Sequence, residues 1–386
     1  MYRPAARLND IAPFHVMELL TRAKALEAQG RDIIHMEVGE PDFPTPAPIV
    51  AAAQKAMADG RVYYTPAFGL PELRQAIADF YASRYGVAVS PERIVVTAGA
   101  SGALTLALAC LTEPGRRWLV TDPGYPCNRH FIRAFEGVPV GVPVGPDTNF
   151  QPTPANLAEF WDDQTDGLVV ASPANPTGTM LDAGELAALS RFTRSRRGHL
   201  IVEEIYHGLT YDTDASTALA VGDDLWVVQS FSKYFQMTGW RLGWLVVPEA
   251  YLRDVEKLAQ NLFIAPSTPA QYAALAAFQP DTLDILEARR ADFHRRRDFL
   301  APALESLGFK LTAKPQGAFY LYCDSSALAA DSFALAGRMI EEAGVAATPG
   351  LDFGQYRPEA HMRFAYTNEI PRLAEAVARL ERLFRG

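Results

Sequence analysis

Cysteine is scarce in this chain. Its 386 residues contain three, Cys110, Cys127 and Cys323, odd in number and far apart. That excludes a disulfide framework, and the spacing fits no metal-ligand pattern, so no metal is expected. Reduced thiols of this kind point to a cytoplasmic location. Long apolar runs are missing as well. No stretch approaches the ~20 consecutive apolar residues that a bilayer-spanning helix needs, so no membrane partner is expected. The start of the chain lacks a basic stretch followed by an apolar core, so no secretory signal is expected. Positive charge is in deficit: 36 Lys and Arg against 45 Asp and Glu leave a net charge of −9. That balance argues against nucleic acid as the main partner and leaves room for a local basic pocket. There is no internal repeat and no low-complexity segment.

What is present is ordinary globular composition, 49% apolar and 21% charged, in a chain long enough for two lobes. Residues 18–30 pattern as a helix stopped by Gly30, and Met36–Gly39 as a short strand entering the proline-dense segment 40–48. Helices are expected over 47–58 and 71–85, the second closed by Gly86. Short apolar strands then alternate with helices. The strands are Ile94–Thr97, Trp118–Thr121, Leu168–Ala171, Leu200–Val202, Leu225–Gln229 and Leu242–Val247, and the helices are Ser101–Leu111, Asn128–Phe135 and Ala183–Ser195. That alternation predicts an α/β fold, a mainly parallel sheet sandwiched by helices. After about Pro280 the pattern changes. Leu286, Phe293, Leu300 and Leu307 mark one stripe of a long helix, with Arg295–Arg297 expected on its wet face. Strands Phe309–Thr312, Phe319–Cys323 and Met362–Ala365 and helices over 331–343 and 370–384 predict a smaller α+β lobe. The expected division is 1–45 as an arm that joins the small lobe, 46–280 as the large domain and 281–386 as the small one.

The unusual residues cluster just beyond the strands, where ligands bind in open parallel sheets. After Thr97 comes Ala98-Gly99-Ala100-Ser101, opening a helix whose N–H groups suit a phosphate. After the next strand comes Asp122-Pro123-Gly124-Tyr125, and Tyr125 can stack on a flat ring or serve simply as a packed tyrosine. Asn175, between Pro173 and Pro176, is free to bond a ligand oxygen. Glu203 and Glu204 alternate in direction, so one faces the crevice and the other points away. Ser230-Phe231-Ser232-Lys233, with Arg241 eight residues on, suits a lysine that bonds covalently to a phosphorylated aldehyde.

Together these segments resemble the fold-type-I pyridoxal-phosphate enzymes of the class I/II aminotransferase family, in the branch of bacterial aspartate-type aminotransferases. The resemblance covers nearly the whole chain, from about Asp32 on. Its anchors are Gly39-Glu40-Pro41-Asp42-Phe43, Tyr64-Thr65-Pro66-Ala67 with Gly69, Asn175-Pro176-Thr177-Gly178, Ser230–Lys233, Gly239–Gly243 and Arg363. It implies a homodimeric enzyme that moves amino groups between L-amino acids and 2-oxo acids by a ping-pong mechanism. Lys233 would hold pyridoxal 5'-phosphate as an internal aldimine and move the proton. Ala100, Ser101, Ser230 and Arg241 would hold the phosphate, with Tyr64 reaching in from a partner subunit. Asn175 and Tyr206 would bond the ring's phenolic oxygen, Tyr125 would cover the ring, and Glu203 would face the pyridine nitrogen. Gly39 and Arg363 would take the substrate carboxylate, with Tyr125 and Asn175 also bordering the substrate.

Two positions depart from the family pattern. Glu203 stands where the family usually has Asp, with the same charge and a longer reach. Ser101 stands where some aspartate-specific relatives carry a lysine for the distal carboxylate, which weakens a preference for aspartate. Arg129 and Arg133 lie nearby without an assignable role, and His207 is not expected to be the acid or base. The same lysine also serves carbon–sulfur lyases that eliminate at Cβ, and a ligand sensor without catalysis is a third class.

Overall fold

The computed structural model describes residues 3–13 and 15–385. Helix α1 (His15–Glu27) leads into a two-residue strand, β1 (Ile34–His35). Helices α2 (Ala47–Ala58) and α3 (Pro71–Tyr85) follow, each with proline in the first two positions, where its missing N–H costs nothing. Gly86 ends α3 at φ 67, the left-handed stop that glycine takes without strain.

The central sheet then forms in chain order. Its elements are β2 (Ile94–Thr97), α4 (Gly99–Leu111), β3 (Arg117–Asp122), α5 (Pro126–Ala134) and β4 (Val138–Pro143), then β5 (Thr165–Ala171), β6 (His199–Glu203), β7 (Trp226–Ser230) and β8 (Gly243–Val246). The strand order is β2-β8-β7-β6-β5-β3-β4. Only β8 runs antiparallel to its neighbours. All of β2, β7 and β8 is buried, as a sheet covered on both faces requires. Because β8 is reversed, β2 and β7 point the same way. The ends of β2, β3, β5, β6 and β7 therefore share one edge, and Gly243, pairing with both Thr97 and Ser230, starts β8 there. This edge carries the chemistry.

A second sheet contains β9 (Lys310–Leu311), β10 (Tyr320–Asp324), β12 (Thr348–Pro349) and β13 (His361–Ala365), in the order β12-β13-β10-β9 and antiparallel throughout. Between them in sequence, β11 (Val345–Ala346) pairs in parallel with β1. The N-terminal segment thus docks on the C-terminal part, as its lack of a sheet of its own suggests. Val16 N donates to Asp352 Oδ2 at 2.8 Å, and Ala365 N donates to Met36 O at 2.7 Å. Among the described residues no helix is long and apolar enough to cross a membrane.

Three expectations need correction. The strand expected at Met36–Gly39 lies earlier, at Ile34–His35, because its two partners, Val345 and Ala346, pair only there. Strand β4 and helices Pro154–Phe160, Leu252–Leu262 and Thr268–Leu275 were not anticipated. The prolines of β4 are tolerated because it is an edge strand, where one side of the backbone has no ladder to serve. The arginine run is not a wet face. Arg295 is exposed, but Arg296 and Arg297 are 1% and 2% exposed. They sit three and four residues after buried Phe293 on the helix Pro280–Ser306, so helical spacing turns them toward the core stripe. Arg296 pairs with Asp42 at 2.7 Å and Arg297 with Asp212 at 2.7 Å.

Candidate active site

A cavity of about 410 Å³ opens at the shared strand edge. Eleven of the twelve residues singled out from the sequence line it, and the exception is Tyr64. Tyr64 is 82% exposed and does not line the cavity.

One end of the cavity is built for an anion. Helix α4 begins there with Gly99, Ala100 and Ser101. Ser230 closes β7 alongside, its hydroxyl accepting from Ser232 N at 3.0 Å. Arg241 holds φ 52 just ahead of β8 and donates to Thr238 O at 3.1 Å. A Cβ at Gly243 would lie 2.9 Å from Ala100 N, so only glycine lets β8 lie this close to the helix start.

At the other end Glu203 terminates β6, 1% exposed. Asn128, from α5, donates to its Oε2 at 2.6 Å, while Oε1 has no partner. Burial raises the Glu203 carboxyl to about 7, with Asn128 opposing. Its neighbour Glu204 faces away, accepting from Ala218 N at 2.6 Å and Thr217 Oγ1 at 3.0 Å. His207 packs behind the cavity against Glu204, and burial holds it neutral, with its pKa near 3.

Lys233 lies between the two ends. Its Nζ donates to Gly39 O and sits over the rings of Tyr206 and Phe319, at 5.9 and 5.6 Å. Burial, against the opposing charge of Glu40 and with Arg363 and Arg241 adding to it, brings its pKa down to about 8. Tyr125, the residue before α5, supplies an aromatic wall.

Arg363 comes from β13. It donates to Asn175 Oδ1 at 2.9 Å and to Glu37 O at 2.6 Å, and its Nε is buried without a partner. Its guanidinium lies 4.2 Å from the ring centre of Tyr320, a diagonal neighbour on β10. Tyr320 also shares a 2.9 Å hydrogen bond with Tyr206 Oη. A Cβ at Gly39 would fall 2.1 Å from Tyr320 Oη, which is why position 39 is glycine. Arg133 pairs with Asp10 at 2.7 Å and Arg129 donates to Asp352 O at 2.8 Å, so neither lines the cavity.

Sequence reasoning missed Asn128, Tyr320 and the α1 residues Val16, Met17 and Leu20, all of which touch this cavity or its lining. Asn128 gave no signal beyond being a polar residue on a helix. Tyr320 alternates with Leu321 in an aromatic strand, and only the fold says which face looks inward. Chemically, the cavity can hold an anion at the α4 end and a second carboxylate at Arg363. A buried amine of lowered pKa lies between them, with a carboxylate that has one oxygen unused.

The chain matches the family Aminotransferase class I and II over residues 31–380. It is 38% identical over 372 residues to a valine–pyruvate aminotransferase of Mycobacterium tuberculosis, with 96% of each chain covered. It is 33% identical over 380 residues to an aspartate/prephenate aminotransferase of Thermus thermophilus, covering 98% of this chain and 97% of that one. Among solved structures, an aminotransferase from Mycobacterium tuberculosis superposes with a TM-score of 0.96 at 38% identity, each chain covered completely. The aspartate aminotransferase of Thermus thermophilus solved with maleate gives 0.93 at 33% identity, covering 99% of this chain and 100% of that one. With the strand-edge cavity and the full-length match in agreement, the chain belongs to the class I and II aminotransferases, a family of pyridoxal-phosphate enzymes.

Proposed function

We propose that Lys233 carries pyridoxal 5'-phosphate covalently and that the enzyme, a cytoplasmic homodimer, alternates two half-reactions at one cavity, first with an amino acid and then with a 2-oxo acid. The observation that carries this reading is Lys233 Nζ, a largely enclosed amine between an anion-binding helix start and a buried carboxylate with a free oxygen. The residues present fit the cofactor. Its phosphate would lie on the N–H groups of Ala100 and Ser101, with Ser230 and Arg241 at its side. Its ring nitrogen would meet the unused Oε1 of Glu203, which a cation there would keep ionised despite burial. Bound in this way, the cofactor supplies an electron sink for charge that develops at the substrate Cα.

The chain's own residues do the rest. Arg363 gives a bidentate seat to the substrate carboxylate, with Asn175 and the Gly39 backbone beside it. Tyr206 and Asn175 would donate to the cofactor's phenolic oxygen, and Tyr125 would cover the ring face. Lys233 Nζ takes the Cα proton and returns it to the cofactor side, a task its lowered pKa suits near neutral pH. Elimination at Cβ would use the same residues, but the transaminase names of the full-length relatives favour amino transfer.

Borohydride treatment of the loaded enzyme should fix the cofactor on the peptide that contains Lys233, and Lys233→Ala should lose the half-reaction by several orders of magnitude. A label on another lysine would refute the assignment. Loading of cofactor-free protein should accelerate as pH rises through about 8, because Nζ must lose its proton before it can attack the aldehyde.

A further inference from the structure

We propose that the substrates of this cavity are 2-amino and 2-oxo acids with an uncharged, apolar side chain, aliphatic rather than dicarboxylic; the assignment rests on the transamination reading above. Lys233, Glu203 and Arg363 are given to the cofactor and the carboxylate, and α1 is an apolar wall left for the side chain. Val16 and Leu20, four residues apart, share one face of that helix, and Met17 lies beside them. Met17 is 53% exposed and Val16 and Leu20 are half-buried, so a bound alkyl group would cover apolar surface that is now open. Helix α1 is fixed in place by the bond from Val16 N to Asp352 Oδ2. The ring of Phe353, 4.9 Å from the Arg363 guanidinium, continues the apolar wall next to the carboxylate seat.

The charges present point the same way. Glu37, Glu40 and Asp352 line the cavity in addition to Glu203. Among the described residues the lining cations are Lys233, Arg241 and Arg363, and each has a task in the reading above. The nearest arginines of α5 are engaged elsewhere, Arg129 on Asp352 O and Arg133 on Asp10. Among the described lining residues no cation is left for a distal carboxylate, whose charge would stand uncompensated beside apolar α1, at far more cost than a lost methylene contact.

The test uses the cofactor-loaded enzyme and begins with binding in the absence of chemistry. Calorimetric titration with isovalerate and with succinate should show isovalerate binding roughly tenfold tighter or more. Single-turnover reaction, followed by the cofactor's absorbance, should rank L-valine and L-leucine above L-aspartate and L-glutamate by at least the same factor. Met17→Lys, which sets a cation on the exposed edge of that wall, should move the binding ratio several-fold toward succinate. Succinate binding as tightly as isovalerate, aspartate reacting as fast as valine, or an unchanged ratio in Met17→Lys would each overturn the proposal. Failure of all four donors to discharge the cofactor, with isovalerate still bound, would overturn the transamination reading and the substrate class with it.

Discussion

Tyr320 touches two halves of the site at once. Its hydroxyl bonds Tyr206 Oη at 2.9 Å and its ring supports the Arg363 guanidinium at 4.2 Å. Tyr320→Phe removes the first contact and keeps the second. The rate constant kcat should fall about tenfold, as for one lost hydrogen bond to a group that must stay aligned, with KM within about twofold. Tyr320→Leu removes both and should raise KM as well. Steady-state kinetics with a pH titration of the cofactor band measures this, and an unshifted band in Tyr320→Phe would make the bond purely structural. Glu203 and its neighbour separate in the same manner. Glu203→Gln removes the anion beside the ring and should slow turnover about a hundredfold, roughly 3 kcal/mol of barrier. Glu203→Asp restores the more usual residue and should stay active. Glu204→Gln should leave kcat within about twofold and lower stability by about 1–2 kcal/mol, because Glu204 holds Thr217 and Ala218 rather than the cavity. That the two glutamates face opposite ways was legible from strand alternation, but the choice of Glu203 as the inward one rests on the family resemblance and its offset from Tyr206. Burial of Arg296 and Arg297 was legible in principle too, from their spacing to Phe293, but charge composition pointed the wrong way.

At the scale of elements, the site depends on β8 and the start of α4 meeting closely. A Cβ on Gly243 would lie 2.7 Å from Gln229 O and 2.9 Å from Ala100 N, all main-chain atoms that cannot swing aside. Gly243→Ala should push the strand from the helix start and weaken cofactor binding about tenfold, ~1.4 kcal/mol, with the fold retained. Fluorescence titration of cofactor-free protein with pyridoxal phosphate, next to a thermal melt, measures both. The central strands were legible because each is a short apolar block bounded by turn residues, and the cavity-lining loops follow each block directly. Helices Pro154–Phe160 and Thr268–Leu275 were not, being brief and weakly periodic, and the two-residue β1 owes its existence to a partner more than three hundred positions away. Helix α1 was legible as a helix, but its role as the wall of the cavity was not. That role depends on Asp352, which anchors Val16 from the other end of the chain.

At the scale of the whole molecule, an apolar surface remains uncovered on the described chain. Val62, Tyr63 and Tyr64 are 55%, 83% and 82% exposed, and Leu262, Phe263 and Ile264 are 51%, 37% and 57%. Thr268, four residues after Ile264, donates its Oγ1 to Tyr63 O at 2.7 Å, which brings the second segment near the first. Ile264 holds φ 65, a costly conformation for a β-branched residue and one that marks a constrained contact. Contiguous exposed aromatics and aliphatics of this kind signal an interface, and a self-complementary twofold contact is the commonest solution. In a homodimer that buries this patch, the family resemblance implies that Tyr64 would serve the other subunit's cavity. Sedimentation should therefore give a dimer, and Lys233→Ala and Tyr64→Ala should be impaired separately yet recover on mixing. In a mixed dimer the site that keeps its own Lys233 draws Tyr64 from the other subunit, which still has it. Random exchange at equal amounts makes half the dimers mixed, each with one intact site of two, so activity should return to about a quarter of that of the unaltered enzyme. If Tyr64 served its own chain, every site in the mixture would lack one residue and no activity would return. Confirmed subunit exchange without recovery would thus exclude the shared site.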